Sequence, residues 1–129
     1  MRSDSNVKKH PLLKSFGYAF SGIKAAIMTE RNMRIHLVIS IFVILAGAWL
    51  PLSTIEWIFV LIAIGGMLAL ELINSAIERI VDLVTADYHL LAKAAKDMAA
   101  GAVLVYAIMC VIIGLIIFLP KILSIQLFV

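Results

Sequence analysis

The chain lacks the residues that build several common kinds of site. Its single cysteine, Cys110, falls inside an apolar run, so we expect neither a disulfide framework nor a cysteine-based metal site. The patterns Gly-x-x-x-x-Gly-Lys and Gly-x-Gly-x-x-Gly are both missing, which excludes the familiar nucleotide-binding loops of soluble proteins. There is no internal repeat, and the first apolar run starts too late and lacks a cleavage site for a signal peptide.

Charged residues are also scarce. Only 15% of the 129 residues are charged, 64% are hydrophobic and the mean hydropathy is +1.09, whereas a soluble domain is nearer half apolar. The net charge is +3, and seven of the eleven Lys and Arg residues lie within residues 2–34. We therefore expect a single membrane domain over residues 1–129, with residues 1–10 flexible.

The hydrophobic pattern predicts an all-α membrane protein with three transmembrane helices. Residues 35–50 and 98–119 are two predicted spans. The other is a helix over residues 55–84, about 45 Å long, which contains the apolar run 58–70. A turn at residues 51–54 offers Ser53 or Thr54 as a helix cap, and a loop at 85–88 offers Asp87 as the cap of a helix from about His89. Pro120 is predicted to close the third span.

An amphipathic helix is predicted before the first span. Apolar residues recur at helical spacing from Phe16 to Ile27, with Lys14, Ser21 and Lys24 on other faces. This pattern favours a helix that lies in the membrane interface, and an ordinary soluble helix is the alternative.

The basic residues predict the orientation of the chain. Lys and Arg concentrate in the N-terminal segment and at residues 79–96, while the turn at 51–54 has none. Basic loops stay in the cytoplasm, so in a plasma membrane we expect the N-terminus inside and the C-terminus outside. Lys121 is an exception, because this orientation puts a basic residue outside.

The second apolar run continues into a polar stripe. Glu71, Asn74, Glu78 and Asp82 recur at helical spacing and share one face over about three turns. Carboxylates beside a bilayer are expensive and usually mark a functional site. The alternative is a helix that leaves the membrane, with Arg79 and the carboxylates merely solvated.

These groups suffice for phosphoryl transfer. Glu30 and Glu78 offer oxygen ligands for a divalent cation, and Lys96 offers a positive charge for a phosphate. Glu71 lies deepest, where partial desolvation makes it a better proton acceptor. Positioning, a metal and a base are what phosphoryl transfer needs, although these residues alone leave a proton relay open.

Two stretches carry a resemblance to a known family. Residues 71–82, Glu-Leu-Ile-Asn-Ser-Ala-Ile-Glu-Arg-Ile-Val-Asp, and residues 89–103, His-Leu-Leu-Ala-Lys-Ala-Ala-Lys-Asp-Met-Ala-Ala-Gly-Ala-Val, resemble the signature of the prokaryotic diacylglycerol kinase family. Shorter matches at 29–32, 55–57 and 114–121 resemble its Gram-positive branch, whose members phosphorylate undecaprenol. The resemblance implies a homotrimer whose active sites lie at the cytoplasmic interface and are shared between chains.

The resemblance also implies roles for individual residues. Glu71 matches the base, Glu30 and Glu78 match the ligands of the magnesium that accompanies ATP, and Trp49 matches a position near the lipid. The positions that match nucleotide contacts are Tyr18, Asn74, Asp87, Tyr88, His89, Lys96 and Asp97. One departure is Pro11, which stands where the family has an arginine that touches nucleotide, and Lys8, Lys9 or Lys14 are candidate substitutes.

The sequence thus predicts a membrane kinase that moves the γ-phosphate of ATP to undecaprenol. Diacylglycerol is the alternative substrate, and a proton or cation pathway or a non-catalytic assembly partner are the alternatives of another class. No nucleic-acid partner is expected. Three residues have competing structural interpretations: His36 as a packing residue, Trp49 as part of an aromatic belt with Trp57, and Asp82 as the partner of Arg79 or a lysine.

Overall fold

A computed structural model describes residues 12–126, which form four α-helices joined by short connections. These are α1 (Leu12–Thr29), α2 (Arg31–Trp49), α3 (Thr54–Val84) and α4 (Leu90–Gln126). The predicted all-α architecture is confirmed. The predictions that concern residues 1–10 and Pro11 lie outside the described residues.

Three of the helices are long and apolar enough to cross a membrane. Among residues 12–126 these segments are Arg31–Trp49, Thr54–Val84 and Leu90–Ser124, so the three predicted spans are confirmed. The helix α1 does form, and Ala26 is its one residue that is buried in the described structure. Its position in the membrane interface stays a prediction.

The long helix α3 organises the packing. It lies against α4 and α2, while α1 contacts both α2 and α3. The buried apolar side chains of the described residues are Ala26, Met33, Leu50, Val60, Ala63, Met67, Ala99 and Ile117. Many large apolar side chains instead point outward, as expected for surfaces that meet lipid or other chains.

The connection between α2 and α3 is a tight turn with a full helix cap. Ser53 Oγ accepts a hydrogen bond from the Glu56 amide (3.3 Å), and Glu56 Oε2 accepts one from the Ser53 amide (2.6 Å). This reciprocal pair is a capping box, so Ser53 rather than Thr54 is the cap. The ring of Trp57 packs closely against α2 at Gly47. A Cβ built at Gly47 would lie only 2.9 Å from this ring.

The start of α4 differs from the prediction. The helix begins at Leu90, and His89 supplies the first partners: its Nδ1 accepts from the Leu91 amide (3.2 Å) and its carbonyl from the Lys93 amide (3.0 Å). The prediction that Asp87 caps this helix is wrong. Asp87 lies too far back along the chain, and its carbonyl accepts from Thr85 Oγ1 instead (3.1 Å).

The end of α4 also differs from the prediction, because the helix continues through Pro120 to Gln126. A proline inside a helix removes one backbone hydrogen bond, but contacts beyond it hold the last turns. Lys121 Nζ donates to the Pro51 carbonyl (3.0 Å) and pairs with Glu56 Oε1 (3.1 Å). The charge of Lys121 is therefore matched by a carboxylate at the end of the bundle that was predicted to be outside.

A close contact between α3 and α4 depends on Gly66. Tyr106 Oη donates to the Ile62 carbonyl (2.8 Å), and a Cβ built at Gly66 would overlap the Tyr106 hydroxyl.

We expect Gly66→Ala to destabilise the protein by about 1–3 kcal/mol through overpacking, measured as a lower midpoint of thermal unfolding in detergent. Gly65→Ala is the matched control, since a Cβ there meets no atom within 4 Å. Equal midpoints for the two variants would contradict this account.

Candidate functional site

The polar stripe of α3 runs from the interior of the bundle to its surface. Glu71 is 2% exposed and Asn74 is 6% exposed, Glu78 is half-buried and Asp82 is exposed. Glu71 is the one fully buried large side chain among the described residues. The alternative of a merely solvated helix end is therefore wrong for the first two members of the stripe.

Two oxygen atoms in this stripe are buried without a partner. Glu71 Oε2 and Asn74 Oδ1 accept no hydrogen bond from any residue between 12 and 126. A buried polar atom without a partner costs roughly 1–3 kcal/mol, and such atoms are rare in folded proteins unless they serve a ligand or water. The arrangement thus leaves two acceptors ready for groups that the chain does not itself supply.

Charged groups from three elements converge on Glu71. The side chains of His36 in α2, Glu78 in α3 and Glu30 between α1 and α2 all interact electrostatically with it. Asn74 Nδ2 donates to Glu78 Oε1 (3.0 Å), which leaves the amide oxygen free for another partner. Glu71 thus interacts with Glu30 and Glu78, and Asn74 is bonded to Glu78, while the metal and base roles stay predictions.

The predicted magnesium site can be compared with the residues present. Within residues 12–126 no group of three or more His, Cys, Asp or Glu side chains is arranged to hold a metal ion. Magnesium, however, is usually bound through one or two carboxylates, with phosphate oxygens and waters completing its shell. Glu30 and Glu78 are ligands of the type and number that magnesium takes when it arrives with a nucleotide, and their role as its ligands stays a prediction.

Glu30 is also bonded to a cation of the chain. Arg79 Nη2 lies 3.2 Å from Glu30 Oε1 and 2.5 Å from Thr29 Oγ1, and Thr29 Oγ1 donates to the same Glu30 oxygen (3.1 Å). Arg79 thereby ties α3 to the junction of α1 and α2. No local pattern in the sequence indicates this contact, because it joins residues about fifty positions apart.

A polar cleft of about 390 Å³ lies where α3 ends and α4 begins. Five of the predicted nucleotide contacts line it: Asp87, Tyr88, His89, Lys96 and Asp97. Lys96 pairs with Asp82 (2.5 Å), and Lys93 pairs with Asp97. The pairing of Asp82 with a lysine is confirmed, and this pair joins the cleft to the outer end of the α3 stripe.

Two predicted site residues, Tyr18 and Trp49, are exposed. Tyr18 is on α1 and is 64% exposed. Trp49 is 77% exposed at the far end of α2, a helix of 19 residues whose other end adjoins Glu30. At 1.5 Å per residue this separation is about 28 Å, so Trp49 is remote from the carboxylates of its own chain.

An apolar groove of about 260 Å³ lies among the three long helices. Its walls come from all three long helices: His36, Ser40 and Val43 of α2, Val60, Ala63 and Met67 of α3, and Ala107, Cys110, Gly114 and Phe118 of α4. Met67 lies one turn before Glu71, and His36 interacts electrostatically with the Glu71 carboxylate. His36 thus faces the site instead of only packing, and the one signal in the sequence was its polarity within an apolar run.

Three membrane-length helices, a buried carboxylate beside an apolar groove and a cleft with lysines define a membrane protein equipped to act on a lipid and a phosphate compound. The sequence profile of the family described as prokaryotic diacylglycerol kinase matches residues 17–118. The chain belongs to this family. It is accordingly a lipid kinase, with a nucleotide as phosphoryl donor.

Individual relatives agree with this membership. Undecaprenol kinase of Bacillus subtilis is 53% identical over 108 residues, which cover 84% of this chain and 88% of the relative. Diacylglycerol kinase of Synechocystis is 46% identical over 116 residues, covering 89% of this chain and 66% of the relative. Diacylglycerol kinase of Escherichia coli K12 is 33% identical over 101 residues, covering 78% and 83%.

Proposed function

We propose that this protein transfers the γ-phosphate of ATP to the terminal hydroxyl of undecaprenol and so makes undecaprenyl phosphate. The observation that carries the proposal is the buried Glu71, which has an unpartnered carboxylate oxygen and follows Met67, a wall residue of the apolar groove, by one helical turn. The choice of lipid is supported by the 53% identity to a protein named undecaprenol kinase. Diacylglycerol is the second candidate, because relatives at 46% and 33% identity carry that name.

The lipid would approach Glu71 from the membrane. The groove is apolar along its walls and narrow, so it suits the part of an isoprenoid chain next to the hydroxyl, while the rest of the chain stays in the bilayer. The hydroxyl then meets Glu71 Oε2, an acceptor that no described residue satisfies. Trp49 would contact only remote parts of the lipid.

Glu71 would act as the base. Its carboxylate takes the hydroxyl proton as the oxygen attacks the γ-phosphorus and the bond to ADP breaks. Burial excludes water that would compete with the lipid hydroxyl. His36 contributes to the electrostatic environment of this carboxylate from the opposite helix.

The nucleotide would lie between the cleft and the stripe. Glu30 and Glu78 would hold magnesium, which neutralises phosphate charge when bound, with Asn74 bonded to Glu78. Lys96 offers a positive charge to phosphate, and the other cleft residues Asp87, Tyr88, His89 and Asp97 surround the rest of the nucleotide. Tyr18 would close the site from α1.

We also propose one domain per chain and a homotrimer in the plasma membrane. The outward apolar faces of α2, α3 and α4 give neighbouring chains surfaces on which to pack. With the N-terminus in the cytoplasm and the C-terminus outside, the stripe and the cleft would face cytoplasmic ATP.

This orientation makes a labelling prediction. In a Cys110→Ala background we expect a cysteine at exposed Thr54 to react with a membrane-impermeant thiol reagent on intact cells. A cysteine at exposed Ala86 should react only after permeabilisation. Both positions spare the capping Ser53 and the predicted contact Tyr88. The opposite pattern would put the proposed site on a face without ATP.

The experiment that tests the function measures ATP consumption by the purified protein in detergent. Undecaprenol and diacylglycerol are added separately, and the phosphorylated lipid is extracted and identified. We expect faster turnover with undecaprenol. Preference for diacylglycerol would overturn the choice of substrate. If neither alcohol supported ATP consumption, the kinase assignment would be overturned in favour of a proton or cation pathway or a passive partner.

A further inference from the structure

Arg79 occupies a position that a structural ion pair does not explain fully. Its guanidinium bonds Glu30 Oε1 and Thr29 Oγ1, and it follows Glu78 directly in the chain. It therefore touches one proposed metal ligand and is adjacent to the other. We propose that Arg79 is a phosphate-binding residue of this kinase, and that it exchanges the Glu30 carboxylate for a phosphate of the nucleotide. This inference rests on the proposed function of the site.

The partner of Arg79 distinguishes it from the other cations that form ion pairs in the described structure. In the described part of the chain, Lys93, Lys96 and Lys121 pair with Asp97, Asp82 and Glu56, none of which belongs to the proposed metal pair. The ion pair of Arg79 is with Glu30. Three carboxylates, Glu30, Glu71 and Glu78, interact here, so a cation at this point relieves their mutual repulsion.

The geometry leaves Arg79 able to change partner. Its side chain is 51% exposed, and both described bonds use the same nitrogen, Nη2. A guanidinium has five N–H donors in a planar fork that suits the oxygens of a phosphate. The remaining donors can thus meet a second group without any movement of α3.

Binding of a metal by Glu30 would drive the exchange. A metal bound by Glu30 would neutralise much of the charge of that carboxylate, so the attraction between Glu30 and Arg79 would weaken. The released fork then lies beside the phosphates that the same metal holds, where a charge-assisted bidentate contact is favourable. Without nucleotide Arg79 neutralises Glu30, and with nucleotide it neutralises phosphate.

In the competing explanation, Arg79 is only a strap, that is, a side chain whose bonds hold helices together. Arg79 joins α3 to the junction of α1 and α2, and its loss would loosen that junction whether or not phosphate is present. A strap that only joins the helices, however, has no reason to distinguish a triphosphate from a monophosphate, whereas a contact with the β- or γ-phosphate does. The number of phosphates on the nucleotide therefore separates the two roles.

The test compares equilibrium affinities in the full-length protein in detergent. The probes are the non-hydrolysable β,γ-methylene analogue of ATP and AMP, each with magnesium. We expect Arg79→Gln to lower affinity for the analogue about 10- to 100-fold, the usual effect of losing a hydrogen bond to a charged group, and to leave AMP affinity nearly unchanged. Arg79→Lys should lose less, because lysine keeps the charge without the fork.

Thr29→Val is the matched control, since it removes the other half of the strap and retains Arg79. It should leave both affinities close to those of the unmodified protein. Equal losses for the two nucleotides in Arg79→Gln, or losses in Thr29→Val as large as those in Arg79→Gln, would make Arg79 a strap and overturn the inference. Unchanged affinities in Arg79→Gln, in a protein that still consumes ATP, would overturn this inference alone. If the unmodified protein neither bound the analogue nor consumed ATP, the proposed function would fall with it.

Discussion

Replacement of Glu71 by glutamine is expected to lower turnover by about 10²- to 10⁴-fold, the contribution of a positioned base. Glutamine keeps the shape of the side chain but cannot accept the hydroxyl proton. Affinity for ATP should change little, because Glu71 lies about two turns from Glu78 along α3. Turnover and ATP affinity must be measured on the same preparations.

Two further variants sharpen this result. Glu71→Asp should also lose activity, since the shorter side chain withdraws the carboxylate from the hydroxyl. Glu56→Gln is the matched control: it changes a glutamate on the same helix that is bonded to Ser53 and paired with Lys121, far from the site, and glutamine preserves the capping box. If turnover and ATP affinity fell equally in Glu71→Gln, its role would be to support nucleotide or metal. A fully active variant would remove the base role.

Replacement of Glu78 by glutamine is expected to abolish most turnover and to raise the magnesium concentration needed for what remains. A metal that neutralises phosphate contributes several kcal/mol to the transition state, so loss of one carboxylate ligand corresponds to about 10²-fold or more in rate. Glu30→Gln should act in the same direction. The measurement is turnover as a function of magnesium at saturating ATP.

Size-exclusion chromatography provides the control for the magnesium experiment, because the oligomer should persist in both variants. Partial recovery of Glu78→Gln at high magnesium would agree with weakened binding of the metal. Near-normal turnover of both single variants at ordinary magnesium would instead exclude Glu30 and Glu78 as its ligands.

Local features of the sequence predicted the helices and the stripe correctly. Apolar runs of sufficient length specify membrane spans wherever they pack, and helical spacing alone puts Glu71, Asn74 and Glu78 on one face. The capping box of Ser53 and Glu56 is likewise a signal within four residues. The burial of Glu71 at the end of an apolar run followed from the same local pattern.

The sequence by itself thus determined the number of helices, their approximate bounds and the polar face of α3, because each depends on residues within a few turns. Tertiary structure decided the rest. Helix α4 continues past Pro120 because Lys121 reaches Pro51 and Glu56 in another part of the chain. The contact between Arg79 and Glu30, and the apolar groove beside Glu71, likewise join segments distant in sequence. Such contacts depend on how helices pack, which no local pattern specifies.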